Sequence, residues 1–311
     1  FGTESFDDLY TSYESDGSVP RKTIGAQELF LDILKERAET GRLYIMNIDH
    51  CNSHSSFLDK VEMSNLCQEI TLPTKPLEHI DDPNGEIALC ILSAVNVGKI
   101  RDLDDLKVLC DLAVRSLDEL IDFQNYPINA AEIATKARRS LGIGFIGLAH
   151  YLAKHGHDYN DPGAWQLVHN LTEAFQYYLI SATVDLAEEK GACEYSSRTK
   201  YGNGILPIDT YKHDVDEIVP NELHYDWEDL RLRVKKHGVR NSTLSAQMPS
   251  ESSSVVSNAT NGIEPPRGYL SIKKSKKGPL KQIVPQYATL KNNYTLLWDM
   301  GSNRGYINIV A

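Results

Sequence analysis

A chain of 311 residues, 41% hydrophobic and 24% charged, has the composition of an ordinary folded protein, long enough for one large domain or two smaller ones. Its formal net charge of -11 makes it a poor general binder of a nucleic acid backbone, so any phosphate must be held in a local site. No apolar run approaches a membrane span, the acidic start FGTESFDDLY has no secretory pattern, and five cysteines without CxxC spacing exclude a secreted disulfide framework and place the chain in a reducing, cytoplasmic setting.

In chain order, AQELFLDILKERAETG carries Leu29, Phe30, Ile33 and Leu34 at helical spacing, with Gly41 suited to the position after the helix. RLYIMNI reads as a strand and Asp49 to Phe57 as a polar loop. SNLCQEI follows, then the Pro-rich turn TLPTKPLEHIDDPNG. Glu86 to Gly98 is a continuous apolar run, as in a strand buried on both sides. Leu103 to Phe123 is strongly amphipathic, AAEIATKARR is helical, and SLGIGFIG leads to another helix near His150. Gly163 to Gly191 is a long helix ended by glycine. Short elements occupy the polar stretch to about Tyr225. WEDLRLRVKKHG is a helix, VRNSTLSAQM a strand, and PSESSSVVSNATNG opens a helical or turn segment. GYLSIKKSKKGPLKQIV is a hairpin whose tip carries Lys273, Lys274, Lys276 and Lys277, best read as a solvated edge guard. A helix through YATLKNNYTLLWDM and an extended GYINIVA complete the chain. Strands alternating with helices predict an α/β fold with a largely parallel sheet, and without repeats or a low-complexity linker the chain is a single region, 1–311.

Few segments carry chemistry. If SNLCQEI is extended, Asn65, Cys67 and Glu69 share one face, offering an amide, a thiol and a carboxylate; the other reading is a half-buried strand with a structural cysteine. PSESSS offers either free N–H groups and hydroxyls for a phosphate or a simple serine-capped helix. Gly142 to Gly147 matches GxGxxG, but helix rather than strand precedes it, so the glycines are read as admitting neighbouring backbone. His50, Cys51 and His54 lack the second ligand pair of a zinc site. Cys110 lies in an apolar stripe with Val108, Leu109 and Leu112 and is assigned to the core, and Cys193 has no role.

Taken together and in order, SNLCQEITLPTKPL, PNGEIALCILSAVNVG, RRSLGIGFIG, NGILPIDTY, HYDWEDLR, HGVRNSTLSAQMPSESSS and SNATNGIEPPRGY resemble the large, catalytic subunit of class I ribonucleotide reductase, over essentially the whole chain. The resemblance implies part of a ten-stranded α/β barrel with a central finger loop, plus a small α+β insertion. It implies that Cys67 is the thiyl radical site acting on the ribose 3′ carbon. Glu69 is then the general base for the 3′-hydroxyl, Asn65 a hydrogen-bond partner of the ribose, and Cys90 one of two cysteines that reduce the 2′ position and end as a disulfide. Pro249, Ser250, Glu251, Ser252 and Ser253 would hold the substrate diphosphate.

The same resemblance implies no metal and no cofactor on this chain. A metal-containing small subunit supplies the radical, and a thioredoxin- or glutaredoxin-type protein supplies electrons. ATP and dNTP effectors bind in an N-terminal region outside this chain. The second reducing cysteine, the radical-relay tyrosine pair and the C-terminal cysteine pair are also expected outside it, since Cys51 lies too close to the finger and Tyr177-Tyr178 too early. The chain alone is expected to be inactive and to associate, with itself or with the missing N-terminal half. An adenosylcobalamin-dependent reductase and a non-enzymatic assembly fragment are the alternatives; the serine motif and PTKPL look more like class I.

Overall fold

The computed structural model of the chain describes residues 4–220, 222–275 and 278–311. Three helices come first: α1 (Glu4–Ser15), α2 (Ala26–Thr40) and α3 (Ile48–His54). A long irregular segment then reaches β1 (Ile91–Asn96). α4 (Leu103–Phe123) and α5 (Asn129–Arg138) cross over to β2 (Leu141–Ile146), which pairs with β1 in parallel, Ile91 opposite Leu141 and Asn96 opposite Ile146. α6 (Leu148–His155), α7 (Pro162–Lys190) and α8 (Trp227–His237) follow, with short 3-10 turns between the last two. α9 (Glu251–Val256) precedes the antiparallel hairpin β3 (Leu270–Ser275) and β4 (Gly278–Ile283), and α10 (Tyr287–Leu290) and α11 (Arg304–Val310) close the chain.

The long helices start and stop where their end residues dictate. Asp102 accepts the Asp105 N–H at the start of α4, Asp161 accepts the Gly163 N–H ahead of Pro162 in α7, and Asp226 accepts the Asp229 N–H in α8. These side chains satisfy N–H groups that no helix bond reaches. Gly191 and Gly238 end the last two. The main core lies between β1, β2 and the α4–α7 pair. Cys110 is fully buried there, as expected, but its stripe is Leu106, Val114, Leu117 and Ile121. Val108, Leu109 and Leu112 face the other way and are exposed, because a 3.6-residue period keeps i, i+4 and i+7 on one face.

Several sequence expectations fail locally. Residues 42–47 form no strand, and Ile48–His54 is a helix where a polar loop was predicted. The strand expected over 86–98 is shortened to Ile91–Asn96, and it is not buried on both sides: Leu92 is 44% exposed. VRNSTLSAQM runs beside β2, with Leu141 N–H donating to Thr243 O and Ala246 N–H to Ile143 O, but only Ile143 and Ser245 form a bridge. Beyond it the Gln247 side chain replaces backbone, accepting from Phe145 N–H at 3.3 Å and donating to Phe145 O at 2.8 Å. The helix through YATLKNNYTLLWDM breaks after Leu290 into 3-10 turns, where Asn293 Nδ2 donates to Ala153 O at 2.9 Å. GYINIVA is helical rather than extended. Its Gly305 lies so close to the Tyr159 carbonyl that a β-carbon there would stand 2.3 Å from it, so tertiary contact overrides the β-branched content. Lys276 and Lys277 of the hairpin tip lie outside the described residues. Among the described residues no helix is long and apolar enough to cross a membrane, and no three His, Cys, Asp or Glu side chains are grouped to hold a metal ion.

Candidate functional site

SNLCQEI is a tight turn, and the shared face expected of an extended strand does not form. Gln68 takes a left-handed φ of 62° and donates its N–H to Asn65 O at 3.2 Å, while Asn65 N–H donates to Ile70 O at 3.2 Å. The turn still joins two of the three residues. Asn65 Nδ2 donates to Glu69 Oε1 at 2.7 Å, and Asn65 Oδ1 accepts the Ile70 N–H at 3.1 Å. Asparagine suits such turns because its short amide bonds nearby backbone. Cys67 stands exposed at the tip. Glu69 Oε2 is buried and has no hydrogen-bond partner among the described residues. An ionised carboxylate has about four acceptor sites, so this oxygen retains the capacity to take a hydroxyl or a proton.

The turn rests on a small core of Phe57, Val61 and Leu72, against which Ile70, Ala88 and Cys90 pack. The C-terminal part of loop 61–86 is closed by Lys75 and Glu86, whose backbone groups exchange bonds of 3.1 Å, and its start is held by the Asn52 side chain, which accepts the Val61 N–H and donates to Val61 O, both at 2.8 Å. Burial pushes the Cys90 thiol up to about 12, and the charge of Glu69 pushes in the same direction. Cys90 is therefore kept as the thiol, within electrostatic reach of the Glu69 carboxylate.

The glycines of β2 assemble the rest. A β-carbon at Gly142 would stand 2.8 Å from the Cys90 sulfur, and one at Gly144 would stand 2.4 Å from Ala246 O and 3.0 Å from the Met248 sulfur. The GxGxxG stretch is thus a packed strand, as its context suggested: two glycines let the Cys90 segment and the segment leading into Pro249 approach one strand.

PSESSS opens α9, with Ser250 at the position before the first helical residue. Ser250 is buried. Glu251 has a φ of 28° and donates its N–H to Asn261 Oδ1 at 2.8 Å. Its carboxylate pairs with Lys273 Nζ at 3.1 Å, and the same ammonium lies 3.4 Å from Ser252 Oγ. The negative charge inside the motif is thereby met by a cation from β3. Ser253 Oγ donates to Ser250 O at 2.7 Å. A cleft of about 450 Å³ flanks this helix, lined among others by Glu251, Ser254, Asn261, Arg267 and Lys273. None of Asn65, Cys67, Glu69 and Cys90 lines it. Asn261 and Arg267 fall within the quoted SNATNGIEPPRGY but were assigned no role from sequence, and Lys273 was read as an edge guard in preference to a contact for an acidic partner.

The ribonucleotide reductase barrel-domain family model matches residues 1–302. Over 311 residues the chain is 58% identical to ribonucleoside-diphosphate reductase subunit alpha of Haemophilus influenzae, covering 99% of this chain and 41% of the relative. It is 57% identical to ribonucleoside-diphosphate reductase 1 subunit alpha of Escherichia coli, with the same coverage, and 42% identical over 315 residues to the subunit alpha of Enterobacteria phage T4. The chain spans about two-fifths of the length of these relatives, 41% in each.

Proposed function

We propose that this chain, which belongs to the ribonucleotide reductase barrel-domain family, carries the reducing centre of a ribonucleoside-diphosphate reductase alpha subunit. The observation that carries the reading is the Asn65–Glu69 pair with its unpartnered buried carboxylate oxygen, set beside the protonated Cys90 thiol. In this reading the Cys67 sulfur, as a thiyl radical, removes the hydrogen atom on the ribose 3′ carbon. Glu69 Oε2 takes the 3′-hydroxyl proton, and Asn65 orients the same ribose edge. Cys90 and a partner thiol from elsewhere in the full subunit together give two electrons and two protons, so that the 2′-hydroxyl leaves as water, hydrogen replaces it and the two sulfurs end as a disulfide, after which Cys67 returns its hydrogen atom to the 3′ carbon.

Pro249, Ser250, Ser252 and Ser253 take the diphosphate, with Glu251 turned to Lys273. No cofactor is held by this chain. The radical comes from a metal-containing small subunit, effector nucleotides bind N-terminal to the finger, and a thioredoxin- or glutaredoxin-type protein restores the dithiol. The setting is cytoplasmic, which fits five free cysteines. In the full barrel further strands would lie along β1 and cover Leu92, Val108, Leu109 and Leu112, all exposed here, with the β3–β4 hairpin as the small insertion.

The test is Glu69→Gln in the full-length subunit, assayed with small subunit and dithiol. Turnover is expected to fall by about 100-fold or more, the scale of a lost general base, with substrate binding retained. A parent-like rate would refute the assignment.

A further inference from the structure

We propose that Arg138 is a positioning residue that holds the Cys67-bearing loop as one rigid unit, by tying the residue at each of its two feet to a single guanidinium. The inference rests on the reading above only in what the loop is for. Asp59 precedes the loop and Glu86 ends it. Arg138 Nη1 donates to Asp59 Oδ2 at 3.0 Å, while Nη2 and Nε donate to Glu86 Oε2 at 2.8 and 3.1 Å. The arrangement is enclosed: Arg138 and Glu86 are each 2% exposed. Its geometry is fixed by the Tyr195 ring, 5.0 Å from the guanidinium carbon, and the Phe57 ring at 5.8 Å.

Each foot has a second cation. Lys75 Nζ meets Glu86 Oε1 at 2.7 Å, and Arg198 Nη2 meets Asp59 Oδ2 at 2.7 Å. Burial opposes ionisation of both carboxyls, yet the bonds from Lys75, Arg138 and Arg198 outweigh it and hold them below their usual range. A buried cation placed between two carboxylates resists the loss of either one, because the remaining charges stay in a poorly solvated site. Arg138 also ends α5, directly ahead of β2, and its carbonyl accepts the Ser242 N–H at 3.0 Å. The same guanidinium thus registers the loop against the strand that receives Cys90 at Gly142. Arg198 reaches both feet as well, but its ion pair with Glu86 Oε1 is long, at 4.0 Å, and among the described hydrogen bonds only Arg138 donates to both carboxylates. The hydrogen bonds of the tip, 64–70, are all local among the described ones, so its place depends on the feet and on the small core beneath Ile70.

The test uses the full-length subunit, with Asp59→Asn, Glu86→Gln, the double variant and Arg138→Lys, followed by hydrogen exchange of the loop peptide. Each single amide is expected to speed exchange over 61–86 by about tenfold, the scale of one charge-assisted bond, with α4 and α7 unchanged. The double variant is expected to fall short of the product of the two, because both carboxylates bond Arg138 and only the longer Arg198–Glu86 ion pair offers a second route between them. Arg138→Lys, which keeps charge but loses the fork, is expected between parent and double variant. With small subunit and dithiol, kcat is expected to fall while KM for the diphosphate holds, since α9 is a separate anchor.

Unchanged loop exchange, equal loosening of α4 and α7, or strictly multiplicative effects would each overturn the proposal. If Arg138→Lys does not fold, the two amide variants still decide it. A Cys67→Ser subunit that retained turnover would overturn the functional reading instead, leaving the exchange result to stand or fall by itself.

Discussion

Gly144→Ala puts the packing argument at most risk. In a strand with free space the change stabilises by about 0.4–1 kcal/mol, because alanine narrows the unfolded ensemble. Here the new β-carbon would stand 2.4 Å from Ala246 O, a backbone atom, and 3.0 Å from the Met248 sulfur. Carbon contacts relax only at about 3.5 Å or more, so segment 244–248 must retreat by about 1 Å. That retreat stretches the Ala246 N–H bond to Ile143 O, 3.2 Å as it stands. Overpacking of about 1–3 kcal/mol and a weakened bond of about 1 kcal/mol outweigh the entropic gain. The net loss is about 1–3.5 kcal/mol, read as a lower urea midpoint at constant slope. Because the displaced segment runs directly into Pro249 and Ser250, the proposed function predicts that KM for the diphosphate also rises when the change is made in the full-length subunit assayed with its small subunit. Gly301, with nothing within 4 Å of its built β-carbon, is the control, and Gly301→Ala is expected to stabilise by up to about 1 kcal/mol. A Gly144→Ala protein as stable as its parent with unchanged KM would refute the packing account of β2.

Asn65→Ala removes both the bond to Glu69 and the bond from Ile70 N–H; a local loss of about 1–2 kcal/mol is expected as faster exchange at 65–70, and unchanged exchange there would contradict the turn's wiring. Stability should also fall in alkali. Burial raises Cys90 and Cys110 to about 12 and Cys193 to about 11, from 9.0 in the open chain. Thiols raised on folding contribute stability that is complete below about pH 9 and lost as pH climbs toward the folded values. Urea midpoints should therefore decline across that window, less steeply in a Cys110→Ala background than in the parent; a flat profile would contradict the burial of these thiols.

What the sequence disclosed follows from local rules. α4 was legible from its amphipathic period and α7 and α8 from helical runs closed by Gly191 and Gly238, whereas the caps Asp102, Asp161 and Asp226 emerge only in the structure. The failed context test for GxGxxG correctly turned Gly142 and Gly144 into packing residues. The turn at Asn65–Glu69 was hidden because extended alternation and a side-chain-stapled turn use the same letters; the bond between the two residues decides, and no period announces it. GYINIVA misled because its β-branched residues favour a strand until Gly305 packs on Tyr159. The buried charges were least legible. Asp118 is fully buried inside α4, and its partners Arg139, Arg240 and Asn241 come from other segments. Arg138, likewise, finds Asp59 and Glu86 only in three dimensions.

The most direct measurement is reduction of labelled ribonucleoside diphosphate by the full-length subunit with its small subunit and a dithiol, parent beside Cys67→Ser. The account predicts deoxyribonucleoside diphosphate from the parent and none above background from Cys67→Ser, with diphosphate binding intact in both. Equal product from the two would contradict the central assignment.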